Sequence, residues 1–185
     1  MNAYDFVQLS LLAMDGEIRG KTRLQKTVYF LGVLSGHADE LGYHPHFYGP
    51  YSDAVADGVD RLRGLGFVDQ SIVGGGAGGC SGFEMARYDF RLNEQGRRVA
   101  EMKKRHLGEE WQKIKRAADA LKAAGEIDYV GLSIAAKTHF MLGESRGRAT
   151  IADLALLARR FGWSVTEDQL RGSAEYLERL GLVKL

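Results

Sequence analysis

The sequence predicts a mainly α protein with a small β-hairpin wing: a winged helix-turn-helix followed by a helical, second winged-helix-like unit. Three observations carry this. Three runs with helical apolar spacing precede two strand-like runs. Those strand-like runs flank a glycine-rich tip, GGGAGGCSG. The second then passes straight into another helix through YDFRLNEQGRRVAEM, with Asn93 as helix cap. The order is that of a winged helix, and it sets the expected division at 1–106 and 107–185.

The elements follow in chain order. Residues 3–14 place Phe6, Leu9 and Leu12 at helical spacing, with Asn2 as N-cap and Gly16 as stop. A second helix spans 21–34, KTRLQKTVYFLGVL. Its start is basic and its second half is apolar on nearly every face, as in a buried helix. The segment YHPHFYGPYS at 43–52 reads as extended, because Pro45 and Pro50 disfavour helix in the residues before them. Ser52 then caps a third helix over 53–65, striped by Val55, Val59 and Leu62.

Strands are predicted at 67–73 and 84–92. In the second, Tyr88, Phe90 and Leu92 share one face and Arg87, Asp89 and Arg91 the other. Helices follow at about 94–106, 109–124, 128–142, 150–161 and 166–180, the last two capped by Thr150 and Thr166. VDRLRGLGFVD at 59–69 echoes AEYLERLGLVKL at 174–185. The echo predicts a second helix-to-strand exit at the C-terminal end.

The chain has 185 residues, 45% hydrophobic and 26% charged, which suits a globular core rather than a disordered tail. A net charge of +1 gives no global electrostatic case for nucleic acid, so local patches must supply one. A single cysteine, Cys80, excludes an internal disulfide framework and suits a reducing compartment. The start MNAYDFVQLSLLAMDGE lacks the basic flank of a signal peptide. No apolar run reaches the ~20 residues that span a bilayer. The expected location is the cytoplasm, with no membrane partner.

KTRLQKTVYFLG, followed by HFYGPYSDAVADGVDRLRGLGFV, resembles an uncharacterised prokaryotic family of the YwgA type. It is more distantly similar to the Panacea, or SocA-like, domain of antitoxins. These families pair a K-x-[KR]-L-Q-K helix start with a later Y-G-P segment. The matching residues are Lys21, Arg23, Leu24, Gln25, Lys26, Tyr48, Gly49 and Pro50. The C-terminal stretch from LSIAAKTHFML to YLERLGLV is also similar to the YwgA type. The resemblance implies a winged-helix-like fold and, through the Panacea domain, a role in neutralising a partner protein.

Two functional readings follow. The first is a DNA-binding regulator, dimeric, contacting phosphates through Lys21, Arg23, Gln25 and Lys26 at the second helix start and through Arg87 and Arg91 on the wing. The third helix, which should read DNA, carries Asp53, Asp57 and Asp60 opposite its apolar stripe, and phosphates would repel them. The second reading is therefore a protein-interaction module of antitoxin type, binding its partner through Tyr48, Tyr51, Asp53, Asp57 and Asp60. Val28–Leu34 and the helix containing Trp111 are read first as core of the single chain and second as a dimer seam.

Enzymatic chemistry is not expected, and no catalytic residue, metal or cofactor is assigned. His44 and His46 alternate near His37 but lack further ligands at zinc spacing. Cys80 has no placed base. GGGAGG lacks the Gly-Lys-Ser/Thr ending of a phosphate loop.

Overall fold

In the computed structural model the described residues are 1–74 and 86–185. The glycine tip from residue 75 onward, Cys80, and the first residues of the predicted second strand lie outside them. The described residues form eight α-helices and one three-stranded antiparallel sheet.

Helix α1 (Ala3–Ala13) is capped by Asn2, whose side chain accepts from the Asp5 amide. It is buried from Phe6 to Ala13 because the helices over 53–64, 94–106 and 108–123 surround it. A turn through Asp15 and Gly16 leads to a short strand, β1 (Glu17–Arg19). Helix α2 (Lys21–Ser35) runs between the helices over 108–123 and 129–144, so residues 24–32 are buried on every face. A 3-10 turn at Asp39–Leu41 and the 43–52 loop lead to α3 (Asp53–Gly64). There Val55, Val59 and Leu62 pack against α1, as their stripe predicts.

Strands β2 (Val68–Val73) and β3 (Arg87–Leu92) pair antiparallel, and β1 pairs with the other edge of β3, giving the order β1-β3-β2. Then follow α4 (Glu94–His106), α5 (Gly108–Ala123), α6 (Tyr129–Glu144), α7 (Ile151–Arg160) and α8 (Glu167–Arg179). Thr150 and Thr166 each complete a capping box, with Asp153 and Gln169 respectively. One hydrophobic cluster joins α1, α2, α3 and the sheet to α5, α6 and α8. A smaller cluster around Met141, Leu154, Trp163 and Leu170 ties α7 to α6 and α8. No described helix is long and apolar enough to cross a membrane.

Two expectations need correction and a third is resolved. Strand β1 was not foreseen, since three residues carry no readable alternation. The C-terminal echo reproduces the helix exit but not the strand. Gly66 and Gly181 both turn the chain with positive φ, and Phe67 and Leu182 both donate back to a helix carbonyl at 2.9 Å. Only the first exit meets a strand edge, β3, so only it continues as a strand. Finally, of the two readings of Val28–Leu34 and the Trp111 helix, core and dimer seam, the core one holds within the chain: α2 packs on α5, and Val28 and Trp111 are both buried.

Candidate functional site

The 43–52 loop is held by side chains from three elements. His44 and Tyr51 form a two-way backbone bridge, each amide 2.9 Å from the other's carbonyl. Gln25 acts as a strand edge for Ser52: its Nε2 donates to the Ser52 carbonyl at 3.0 Å and its Oε1 accepts from the Ser52 amide at 3.1 Å. Lys26 Nζ donates to the Pro50 carbonyl at 2.7 Å. Ser133 Oγ of α6 donates to the Tyr48 carbonyl at 2.5 Å, and Trp163 Nε1 donates to the His46 carbonyl at 2.7 Å. Gly49 sits at φ 100°, and a Cβ there would lie 2.9 Å from Lys137 Cγ and 3.4 Å from Lys26 Cε. The loop backbone therefore passes directly over two lysine stems, which only glycine permits.

This explains why the L-Q-K and Y-G-P segments belong together: the first holds the second. It also corrects two predicted contacts. Gln25 and Lys26 are 5% and 2% exposed and spend their polar atoms on the loop, so neither presents itself to a phosphate. Burial first, and the nearby Lys137 charge second, push the Lys26 ammonium down to about 7.

The remaining basic candidates do not form one patch. Lys21 is exposed, its Nζ 4.2 Å from the Tyr88 ring centre. Arg23 turns the other way, donating to the Ile127 carbonyl and lying 3.7 Å from Glu126. Arg87 makes a two-bond fork to Asp89 at 2.8 and 2.9 Å, which keeps that carboxylate buried against the predicted alternation. Arg91 lies 3.5 Å from Glu17.

The partner candidates lie on the 43–52 loop and on α3, which follows it directly. Phe47 and Tyr48 project from the fixed loop, 71% and 53% exposed, with ring centres 4.9 Å apart and nearly perpendicular. Tyr51 closes the loop, and burial, then the charges of Asp53, Asp57 and Asp60, hold its hydroxyl above the ordinary range. The three acids are exposed at positions i, i+4 and i+7 of α3 and so share its outward face. Asp53 also faces His44 at 3.8 Å, and Asp60 pairs with Arg63 at 2.8 Å. His37 lies elsewhere, its Nε2 2.8 Å from Glu110 on α5. No group of three His, Cys, Asp or Glu among the described residues is placed to hold a metal.

Sequence reasoning missed Ser133, Lys137 and Trp163, which lie 85 to 117 positions from the loop residues they fix. Phe47 lies within the H-F-Y-G-P-Y segment, whose spacing gives it no signal of its own. Trp163→Phe should destabilise the chain by about 1 kcal/mol, since it removes one donor and keeps most of the ring. Its sharper signature is local. The Gly49 amide, bonded to the same His46 carbonyl at 2.9 Å, should exchange with solvent faster than in the parent. Unchanged exchange there would mean that Trp163 does not fix the loop.

No family model matches the chain. Over 62 residues it is 34% identical to the uncharacterized protein YwgA of Bacillus subtilis (strain 168). The match covers 34% of this chain and 37% of that protein, so it spans about a third of either. The similarity supports the YwgA resemblance and does not reach the antitoxin domain.

Proposed function

We propose that this chain is a protein-recognition module on a winged-helix frame, which binds a basic partner protein through an acidic and aromatic face. The frame is supported by the element order α1-β1-α2-α3-β2-β3 and the sheet order β1-β3-β2. The observation that carries the function is the shared outward face of Asp53, Asp57 and Asp60 on α3, directly after a fixed loop that exposes Phe47 and Tyr48. Exposed aromatic side chains on rigid backbone make good anchors, because little motion remains to be lost on binding. The carboxylates select a cationic partner and repel nucleic-acid phosphates. Neutralising or assembling with such a partner is the role this reading assigns.

The test compares the parent with the triple variant Asp53→Asn, Asp57→Asn, Asp60→Asn. A cross-linked partner identified with the parent should bind the variant at least about tenfold more weakly and lose most of its salt dependence. Equal affinity for both proteins would refute the acidic face as the binding surface.

The second reading, a DNA-binding regulator, is favoured by the winged order and by exposed Lys21 beside the wing strand. With Arg23 turned toward Ile127 and Glu126, its contact set reduces to Lys21, Arg87 and Arg91. Selection of bound duplexes at moderate salt, repeated with Lys21→Ala and Arg87→Ala combined, decides it. An enriched sequence whose affinity and salt slope fall in the double variant would establish DNA as the partner.

A further inference from the structure

We infer that the cavity between α2, α3 and the 46–51 loop binds a small organic carboxylate with an apolar, ring-sized body, and that Lys26 is its counter-ion. The inference does not depend on the partner proposed above. The cavity holds about 430 Å³, within the ordinary range of ligand sites. Its walls are suited to a ring: Leu24, Val59, Phe90 and the rings of Tyr48 and Tyr51 line it.

The polar end of the cavity is incomplete. An ammonium has three donors, and Lys26 uses one, on the Pro50 carbonyl. Among the described residues no other hydrogen-bond partner and no carboxylate reaches it, although it is 2% exposed. A buried cation without a counter-ion is costly, and the low Lys26 ionisation range reflects that cost. A ligand carboxylate would supply both the charge and acceptors for the two free N–H groups.

The neighbours are mixed in sign, with Lys21 and Arg63 set against Asp60 and, close to Tyr51, Asp53 and Asp57. Lys21 and Thr22, at the open start of α2, also line the cavity. That helix has no side-chain N-cap bond and no acid in its first turn. Arg63 and Asp60 stand at the rim as an ion pair and largely cancel. One buried ammonium with a carboxylate nearby fits a monoanion better than a phosphate dianion.

The test uses the full chain with 2-naphthoate as probe and 2-naphthamide as its neutral isostere. Affinities are measured by calorimetry and the site is located by amide resonances. Naphthoate should perturb Lys21, Gln25, Tyr51 and Phe90 and bind at least about tenfold more tightly than the amide. Lys26→Met should abolish that preference. Ala56→Phe, which keeps Lys26 and intrudes from the α3 wall, should weaken both probes, so the idea stays testable if the lysine variant folds poorly. Absent naphthoate binding, equal affinity for the two probes, a preference that survives Lys26→Met, or perturbations elsewhere would each overturn the assignment.

Discussion

Gly96→Ala should destabilise this protein by about 3 kcal/mol and lower its thermal midpoint by about 10 °C. Helix propensity alone says the opposite, because alanine in a helix is favoured over glycine by about 1 kcal/mol. Packing decides the sign. A Cβ on Gly96 would run into the Phe67 carbonyl oxygen and lie 2.7 Å from its carbon. Those are backbone atoms at the root of β2, and the Asn93 amide already donates to the same carbonyl at 3.2 Å. On its other sides Gly96 accepts from Gln8 and donates to the Asn93 cap, so α4 cannot retreat without breaking its joints to α1 and the sheet. Gly172→Ala is the control. It is exposed within α8 with nothing within 4 Å of a new Cβ, and should stabilise by about 0.5–1 kcal/mol. Thermal melts of both variants give the comparison. A stabilised Gly96→Ala protein would mean that the α4–sheet joint is looser than the close approach implies.

That joint was partly legible. The N-E-Q-G sequence after a strand marked Asn93 as a cap and placed a glycine in the first turn of the helix. Nothing in the sequence showed that the glycine faced backbone. The same holds for the fold at large. Helices with strong apolar spacing and polar caps declared themselves, because capping and periodicity are local properties. Strand β1 did not, because three residues become a strand only when β3 offers an edge. The repeated helix exits at Gly66 and Gly181 make the point within one chain: identical local chemistry continues as strand in one place and not in the other, according to what lies alongside.

The candidate site was legible in a different way. Asp53, Asp57 and Asp60 could be assigned to one outward face from spacing alone, and they share it. Gln25 and Lys26 were misread because polar residues at a basic helix start are usually solvated. Here α2 is an inner helix, and the loop that covers its start needs donors for its carbonyls. The sequence held no local hint, because both residues continue the largely polar run from Lys21 to Thr27; once buried, such a pair must have partners. The partners are the backbone of Pro50 and Ser52, and side-chain identity says nothing about those.

Lys26→Met should therefore change the sign of its effect with pH. The Lys26 ammonium titrates at about 7 in the folded chain against 10.5 ordinarily. A depression of that size corresponds to about 5 kcal/mol of penalty on the charged folded form. Between those two values the unfolded chain binds more protons than the folded one, so the lysine protein gains stability as pH rises through the window. Below pH 7 both forms are protonated and the full penalty applies. Methionine fills a similar volume and carries no charge, so the variant escapes the penalty. It also leaves the Pro50 carbonyl without its donor, which costs about 1–3 kcal/mol at any pH. At pH 6.5 the escape exceeds the loss, and Lys26→Met should be the more stable protein by about 2 kcal/mol. Near pH 10 the lysine is neutral when folded, still donates to Pro50, and is nearly free of the penalty. There the variant should be the less stable by about 1 kcal/mol or more. Denaturant unfolding of both proteins at the two pH values measures the difference directly, and contributions from other titrating groups cancel between them. A difference of the same sign at both ends would show that Lys26 is not held as a buried, unpaired cation. The test also bears on the cavity, since a lysine that pays no penalty when charged has no need of a ligand carboxylate.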